Sequence, residues 1–412
     1  MDDPGETNPR NVEPLQRLPR FLGLFERKGV LPALVGSLFL RAETSLLMIV
    51  FSLITPAHTQ PPAHMYSYEM HNSLQAGGVF SSMLLLPWYR WDTVHYLRIA
   101  TEGYSTMNLV AWPPLYPALV GAGSILVHPL ASGLLVSTLC LFVFLLLIYR
   151  FVAETWDDAT ARRTVVWIVV FPASFYLVAV YSESLYLALA VACFLAARRR
   201  RWLLAGLWGM LGTLVRYQGV ALAAILLVEG YQVARSGALK RWQERLGLLG
   251  GLALVPLGLA GYFVYVRYSL GYPWPWEVRQ SLWPLTWVTP WEGLLTAFRV
   301  LWKSFPLWSP SVFFDLVFTV LFLILLLRRT HKMPLSLAAM SWGILILMLT
   351  QVRNDGDLTM GASLLRYVLA IFPGFIILAQ AMSQKWSKIT WAVSFAAQIL
   401  LLWWFYYWLW VA

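Results

Sequence analysis

The sequence predicts an all-α, polytopic bundle of transmembrane helices, and three observations carry that prediction. Of its 412 residues, 59% are hydrophobic and only 12% are charged, about half the charged fraction of an ordinary soluble domain. The apolar residues fall in repeated runs of about 15–25, the length that crosses a hydrocarbon core of about 30 Å. Lys and Arg collect between those runs: Arg198, Arg199, Arg200 and Arg201, then Arg235, Lys240, Arg241 and Arg245, then Arg328, Arg329 and Lys332, then Lys385 and Lys388. That placement follows the positive-inside bias of cytoplasmic loops. It also disposes of a nucleic-acid reading of the net charge of +11, because no basic stripe with interleaved aromatics runs along an exposed face.

The elements follow in order. Residues 1–30 are polar, carry mixed charge and lack the features of a secretory signal, which predicts a cytoplasmic tail ending in an amphipathic stretch at 18–25. The rest, 31–412, reads as one transmembrane domain. Its first span is 31–55, and 56–112 is the long polar segment that follows. Residues 113–128 are short for a crossing and hold three prolines, so they are expected to be re-entrant or interfacial. Further spans are expected at 131–151, 164–181, 183–197, 202–215, 217–233, 246–268, 310–327, 334–352, 363–382 and 389–411. A Trp/Pro-rich segment, 269–308, interrupts them. With the N-terminus inside and 113–128 not crossing, the resulting 11 crossings put every basic cluster on the cytoplasmic side. Segments 56–128, 182–183, 216–218, 269–308 and 353–362 then all lie outside. Trp88, Trp91, Trp112, Trp274, Trp276, Trp283, Trp287 and Trp291 concentrate there, as rings that favour the headgroup level do. Cys140 and Cys193 both sit in apolar runs and read as packing residues.

Ionisable groups at membrane depth are costly, so each is a candidate for function. The richest stretch runs from Arg90 to Tyr104. Read as a helix over 91–102, it places Asp92 and His95 three apart on one face. Val94, Leu97 and Ile99 suit an interfacial helix, and Gly103 ends it. A modest reading has Asp92 pairing only with Arg90 or Arg98. Against it stands the company expected at the same level: Glu183 between two closely spaced spans, Arg216 at a turn, and Arg366 at the start of another span. Two acids, an imidazole and two guanidiniums then converge where a lipid phosphate lies, and guanidinium grips phosphate bidentately. A single Arg there can merely snorkel to the headgroups, but Arg216 has no basic neighbours. His58, His64 and His71 are spaced poorly for zinc, and no metal is expected. Arg41 and Glu43 are expected to pair within the first span, and Glu229 and Asp315 to face the bundle or the headgroups.

The stretch Trp91-Asp92-Thr93-Val94-His95-Tyr96-Leu97-Arg98-Ile99-Ala100-Thr101-Glu102-Gly103-Tyr104, followed by Trp112-Pro113, resembles the signature of the GPI mannosyltransferase II family, PIG-V type. The resemblance continues through Phe171-Pro172-Ala173, Tyr181-Ser182-Glu183, the Arg198 to Trp202 turn, Arg216 with Gly219, and Arg366-Tyr367, covering about 85–400. It implies the GT-C superfamily: a multi-helix bundle whose first outer loop carries an essential acid and whose donors are polyprenyl-phosphate sugars, with no further cofactor. It implies Asp92 as general base in one inverting step, Arg216 and Arg366 on the departing phosphate, and His95 and Glu183 positioning the acceptor or Asp92. Arg90, Tyr367, Tyr104 and Trp112 join the implied substrate contacts. Mannose as the sugar, and a lipid-linked or other glycan acceptor, come from the resemblance alone. Pro113-Pro114-Leu115-Tyr116-Pro117 departs from the animal version, which points to a prokaryotic relative, with the acceptor not fixed as a GPI precursor. The membrane implied is the plasma membrane for a prokaryotic protein and the ER membrane for a eukaryotic one. The rivals are a transporter or lipid flippase, which calls for paired broken helices in matching halves, and a scaffold, which leaves Asp92 and His95 unexplained.

Overall fold

In lipid every backbone N–H and C=O must find a partner within the protein, and the apolar runs meet that demand as helices. A computed structural model describes residues 28–55, 73–74, 77–303, 310–354, 358–360 and 363–411. The helices used below are α1 (Val30–Ile54), α2 (Gly78–Leu84), α3 (Asp92–Glu102), α4 (Leu115–Gly123), α5 (Pro129–Thr155), α6 (Asp158–Val170), α7 (Glu183–Arg198), α8 (Trp202–Thr213), α9 (Ala223–Arg235), α10 (Trp242–Val264), α11 (Pro275–Leu282), α12 (Pro290–Lys303), α13 (Pro310–Arg329), α14 (Leu335–Leu349), α15 (Leu364–Val368), α16 (Pro373–Ala381) and α17 (Gln384–Tyr406). Among the described residues, five helical stretches are long and apolar enough to cross a membrane: Val30–Ile54, Pro129–Thr155, Tyr217–Arg235, Trp242–Ser269 and Lys385–Tyr406. The chain is a multi-pass membrane protein built almost wholly of helix.

The faces of these helices are those of lipid-bathed elements. α1 exposes Leu31, Leu38, Leu46 and Leu53 while burying Ala33, Leu40, Thr44 and Met48. Because lipid is as apolar as leucine, association depends on close backbone approach at small residues. α8 and α10 meet in that way: a Cβ on Gly206 would fall inside the backbone of Gly251, and one on Gly209 would strike Val255. Several charged groups inside the bundle find partners there. Arg41 does not pair with Glu43 as expected. Residues two apart on a helix face different directions, so Arg41 donates to Thr138 Oγ1 at 3.0 Å and to the Leu134 and Val178 carbonyls, whereas Glu43 accepts from Gln398 at 3.2 Å. Glu229 and Asp315 both face the bundle. Ser336 donates to Glu229 with Arg198 3.7 Å away, and Asp315 accepts from the Leu365 N–H at 2.5 Å.

Two expected spans are not continuous. The one at 164–181 stops at Val170, and residues 171–182 form a buried, compact run with a single 3₁₀ turn at Ser174–Leu177. The one at 363–382 divides into α15 and α16. Both breaks fall at Phe-Pro steps, Phe171-Pro172 and Phe372-Pro373, where proline removes a helical N–H and restricts the residue before it. The two breaks pack together, with the Phe171 and Phe375 rings 5.2 Å apart. By contrast, 113–128 behaves as expected: α4 has nine residues, or about 14 Å of rise, too short to cross. The 269–308 segment holds more order than its sequence announces. It supplies α11, α12 and strand β1 (Leu285–Trp287), which pairs antiparallel with β2 (Gln351–Asn354), itself paired with β3 (Leu358–Met360). Leu285 lies opposite Arg353 in that register. The N-terminal tail, its amphipathic stretch, and His58, His64 and His71 lie outside the described residues.

The glycine crossing predicts an outcome. Gly206→Leu should destabilise the protein by about 1–3 kcal/mol through overpacking, read as a lowered thermal midpoint in detergent, while lipid-facing Leu46→Val leaves it in place. An unchanged midpoint for Gly206→Leu would show that α8 and α10 do not approach each other so closely.

Candidate active site

Four separate segments bring charge to one buried point. α3 begins at Asp92, α7 begins at Glu183, Arg216 stands between α8 and a 3₁₀ turn at Tyr217–Leu222, and Arg366 lies in α15. The Arg366 guanidinium donates to Asp92 Oδ2 at 2.6 Å, and its Nε lies 3.1 Å from Glu183 Oε1 as an ion pair, while Arg216 donates to that same oxygen. All four side chains are buried, each no more than 8% exposed as a residue. The result is an alternating chain, Asp92–Arg366–Glu183–Arg216, with no net charge. Breaking a buried pair leaves an uncompensated ion and costs several kcal/mol, so this chain is neutral by necessity.

Aromatic rings frame it. The Arg216 and Arg366 guanidiniums lie over Tyr367, at 5.0 and 5.5 Å from the ring centre, and Arg366 also faces Tyr181 at 5.3 Å. The Asp92 N–H donates to the Tyr181 hydroxyl at 3.2 Å, and Tyr96 shares a 2.9 Å hydrogen bond with Ser182. Backbone turns of unusual sign precede both ends of the Asp92–Arg366 contact. Trp91 has φ 50° and Ser363 has φ 76°, conformations that cost a non-glycine residue of order 1–3 kcal/mol. Trp91 is held in place by the rings of Trp408 and Trp410 at 5.7 and 4.8 Å.

A cavity of about 260 Å³ opens above this chain. Asp92, Trp112, Arg216, Arg366 and Tyr367 line it, together with Arg279 from α11 and Arg353 from β2. Four arginines and one acid thus contribute to the lining. Apolar Val220, Leu347 and Met348 complete part of the wall, and Val220 is 40% exposed on the bundle surface as well.

The expected site residues divide by place. Asp92, Arg216, Arg366, Tyr367 and Trp112 line the cavity, and Glu183 lies just beneath, holding both guanidiniums. Three sit elsewhere. Arg90 is completely buried on the far side of the Trp91 turn. It donates to the carbonyls of Tyr406, Leu86 and Tyr89 at 3.0–3.1 Å, with Trp408 under its guanidinium, so it braces the C-terminal helix and is not part of the cavity lining. Tyr104 donates to the Trp112 carbonyl at 2.8 Å and is also a brace, one of several tyrosines that fasten this loop: Tyr262 bonds Val110 at 2.8 Å and Tyr217 bonds it at 3.2 Å. His95 stacks on Trp112, ring centres 4.0 Å apart, behind the cavity wall. Burial pushes the imidazole below its ordinary pKa, with Asp92 pulling it up and Arg98 down, so the ring that supports Trp112 is neutral near pH 7. Sequence reasoning missed Arg279 and Arg353, whose segment carries no apolar run to make a charge conspicuous.

Removing Glu183 sets two buried guanidiniums against one carboxylate. Glu183→Ala should cost about 3–5 kcal/mol of stability, measured by unfolding in detergent. A variant as stable as the parent would show that the charge chain does not hold these segments together.

Comparison with known proteins accords with this geometry. Residues 34–257 match the family model described as mannosyltransferase (PIG-V), a range that contains Asp92, Glu183 and Arg216 and stops short of Arg366. The chain is 28% identical over 255 residues to the GPI alpha-1,6-mannosyltransferase 2 of Cricetulus griseus, an alignment covering 56% of this chain and 50% of that protein. The chain therefore spans about half the length of the curated relative it matches. An acid-bearing motif at the head of α3, matched over more than half the chain, makes this protein a member of the PIG-V mannosyltransferase family.

Proposed function

We propose that the protein transfers a hexose, mannose by family, from a polyprenyl-phosphate sugar to a lipid-linked or other glycan acceptor, at the membrane face opposite the basic loops. The single observation that carries this reading is Asp92: a buried carboxylate in the family motif, opening into a guanidinium-lined cavity. Arg366 occupies Oδ2, and no other side chain among the described residues bonds Oδ1, which leaves that oxygen for an acceptor hydroxyl. The hydroxyl oxygen attacks the anomeric carbon while its proton passes to Asp92. The bond from that carbon to the phosphate oxygen breaks, and the electron pair leaves with the lipid phosphate. Configuration inverts in this one step. Because the leaving group is an activated phosphate in a positively charged cavity, the reading needs no metal. Arg216 and Arg366 contribute charge to the floor beneath it, Glu183 positions both, and Trp112, held by His95, forms a wall.

Val220, Leu347 and Met348 give the donor's hydrocarbon an apolar side to leave by, consistent with a lipid-linked sugar. The basic clusters favour an N-terminus in the cytoplasm and a site on the other side. A second reading draws on the two broken segments, since transporters bind substrate at broken helices. Family membership and the acid of the motif favour transfer.

Asp92→Asn keeps the side chain's shape but removes the charge that pairs with Arg366, so it should fold with lowered stability. Measured on the folded fraction, it should lose transfer by at least about 10²–10⁴-fold, the usual share of a general base. The test is reconstituted protein supplied with polyprenyl-phosphate mannose, with glycolipid products followed by mass spectrometry. Near-normal turnover would remove Asp92 from the base's role, and sugar translocation without a new glycosidic bond would favour the transporter.

A further inference from the structure

The charged floor and the charged wall of the cavity differ in one respect: the floor is already spent. Arg366 is engaged by Asp92 and Glu183, and Arg216 by Glu183. A phosphate that drew either guanidinium fully to itself would strip a buried carboxylate of its partner, at the cost that breaking such pairs carries. Arg279 is under no such constraint. It projects from α11, half-buried, with its guanidinium carbon over the Tyr217 ring, 4.5 Å from the ring centre. Among the described residues no carboxylate or carbonyl accepts from that guanidinium. A cation–π contact leaves the guanidinium N–H groups available to fork onto a phosphate. Its charge also reaches the Tyr367 phenol, so it stands near the floor.

The support beneath Arg279 is firm. Val278 is buried at 2% exposure, α11 packs on the turn at Met107–Ala111, and Tyr217 is tied to that turn through the Val110 carbonyl. The Asp92 loop and Arg279 are thus built on one scaffold.

We propose that Arg279 is the residue that grips the phosphate of the lipid-linked donor, with Arg353 adding charge to the same wall, while Arg216 and Arg366 serve to hold Asp92 and Glu183. This rests on the donor reading above and names the contact within it. It assigns a binding residue outside the segment matched by the family model.

The experiment measures binding of citronellyl phosphate, a short polyprenyl phosphate, to purified protein in nanodiscs, with inorganic phosphate as a parallel arm. Arg279→Gln should weaken the lipid phosphate at least about tenfold, and Arg279→Lys should recover part of that loss by restoring charge without the fork. Thermal midpoints should match the parent, since Arg279 takes no part in the buried charge chain. Tighter binding of citronellyl phosphate than of inorganic phosphate is expected, because the apolar wall contributes only to the former. If Arg279→Gln binds as the parent does, the assignment of Arg279 falls and the donor reading stands. If the unsubstituted protein binds neither ligand, the donor reading falls and takes this assignment with it.

Discussion

The alternating chain Asp92–Arg366–Glu183–Arg216 is the constraint on which the rest of the molecule turns. Four ions in a low-dielectric interior are tolerable only as a neutral, mutually bonded set, and no single helix can supply them. A helix presents neighbours at three- and four-residue spacing, so a chain of partners from distant parts of the sequence requires several segments to end at one point. α3 and α7 begin there, α8 ends there, and α15 is a single short helix between an abrupt turn and a proline. Two contributors open helices, one stands in the turn after α8, and one lies in a five-residue helix. The strained backbones at Trp91 and Ser363 are the local expense of aiming Asp92 and Arg366 at each other, and they persist because aromatic packing and the ion pair over-determine them.

Much of this arrangement is legible in the amino-acid sequence. Glu183, Arg216 and Arg366 stand out because each is a charge beside an apolar run, where chance retention is expensive, and Asp92 stands out by its place in the motif. The helix that starts at Asp92 is readable from its periodicity and from Gly103. Other features are hidden for definite physical reasons. Hydropathy is unchanged across Phe171-Pro172 and Phe372-Pro373, so each side resembles one span, although the prolines are in plain view. Arg90 adjoins the motif and reads as part of it, but the positive φ of Trp91 sends the two neighbours in opposite directions. Tyr104 carries a polar tip that serves the loop's own backbone. The sheet made by 285–287, 351–354 and 358–360 has strands too short for alternation to register, and Arg279 and Arg353 belong to that polar region, where a charge raises no question.

The breaks and the site are one phenomenon. Backbone that leaves helical geometry within a membrane protein needs other partners, and it is tolerated where protein buries it or where it lines a cavity. Residues 171–182 satisfy both conditions: they are wholly buried, and Ser182 at their end lines the cavity beside Asp92. Arg41, from the middle of α1, donates into this run at the Val178 carbonyl, so a membrane arginine that pairs with no acid among the described residues caps a turn that lacks helical bonds. Asp315 serves the start of α15, accepting from the Leu365 N–H one residue before Arg366. Isolated charges in the spans therefore need not mark further chemistry. Arg41 and Asp315 instead bond backbone, whereas Glu43 and Glu229 bond side chains of neighbouring helices.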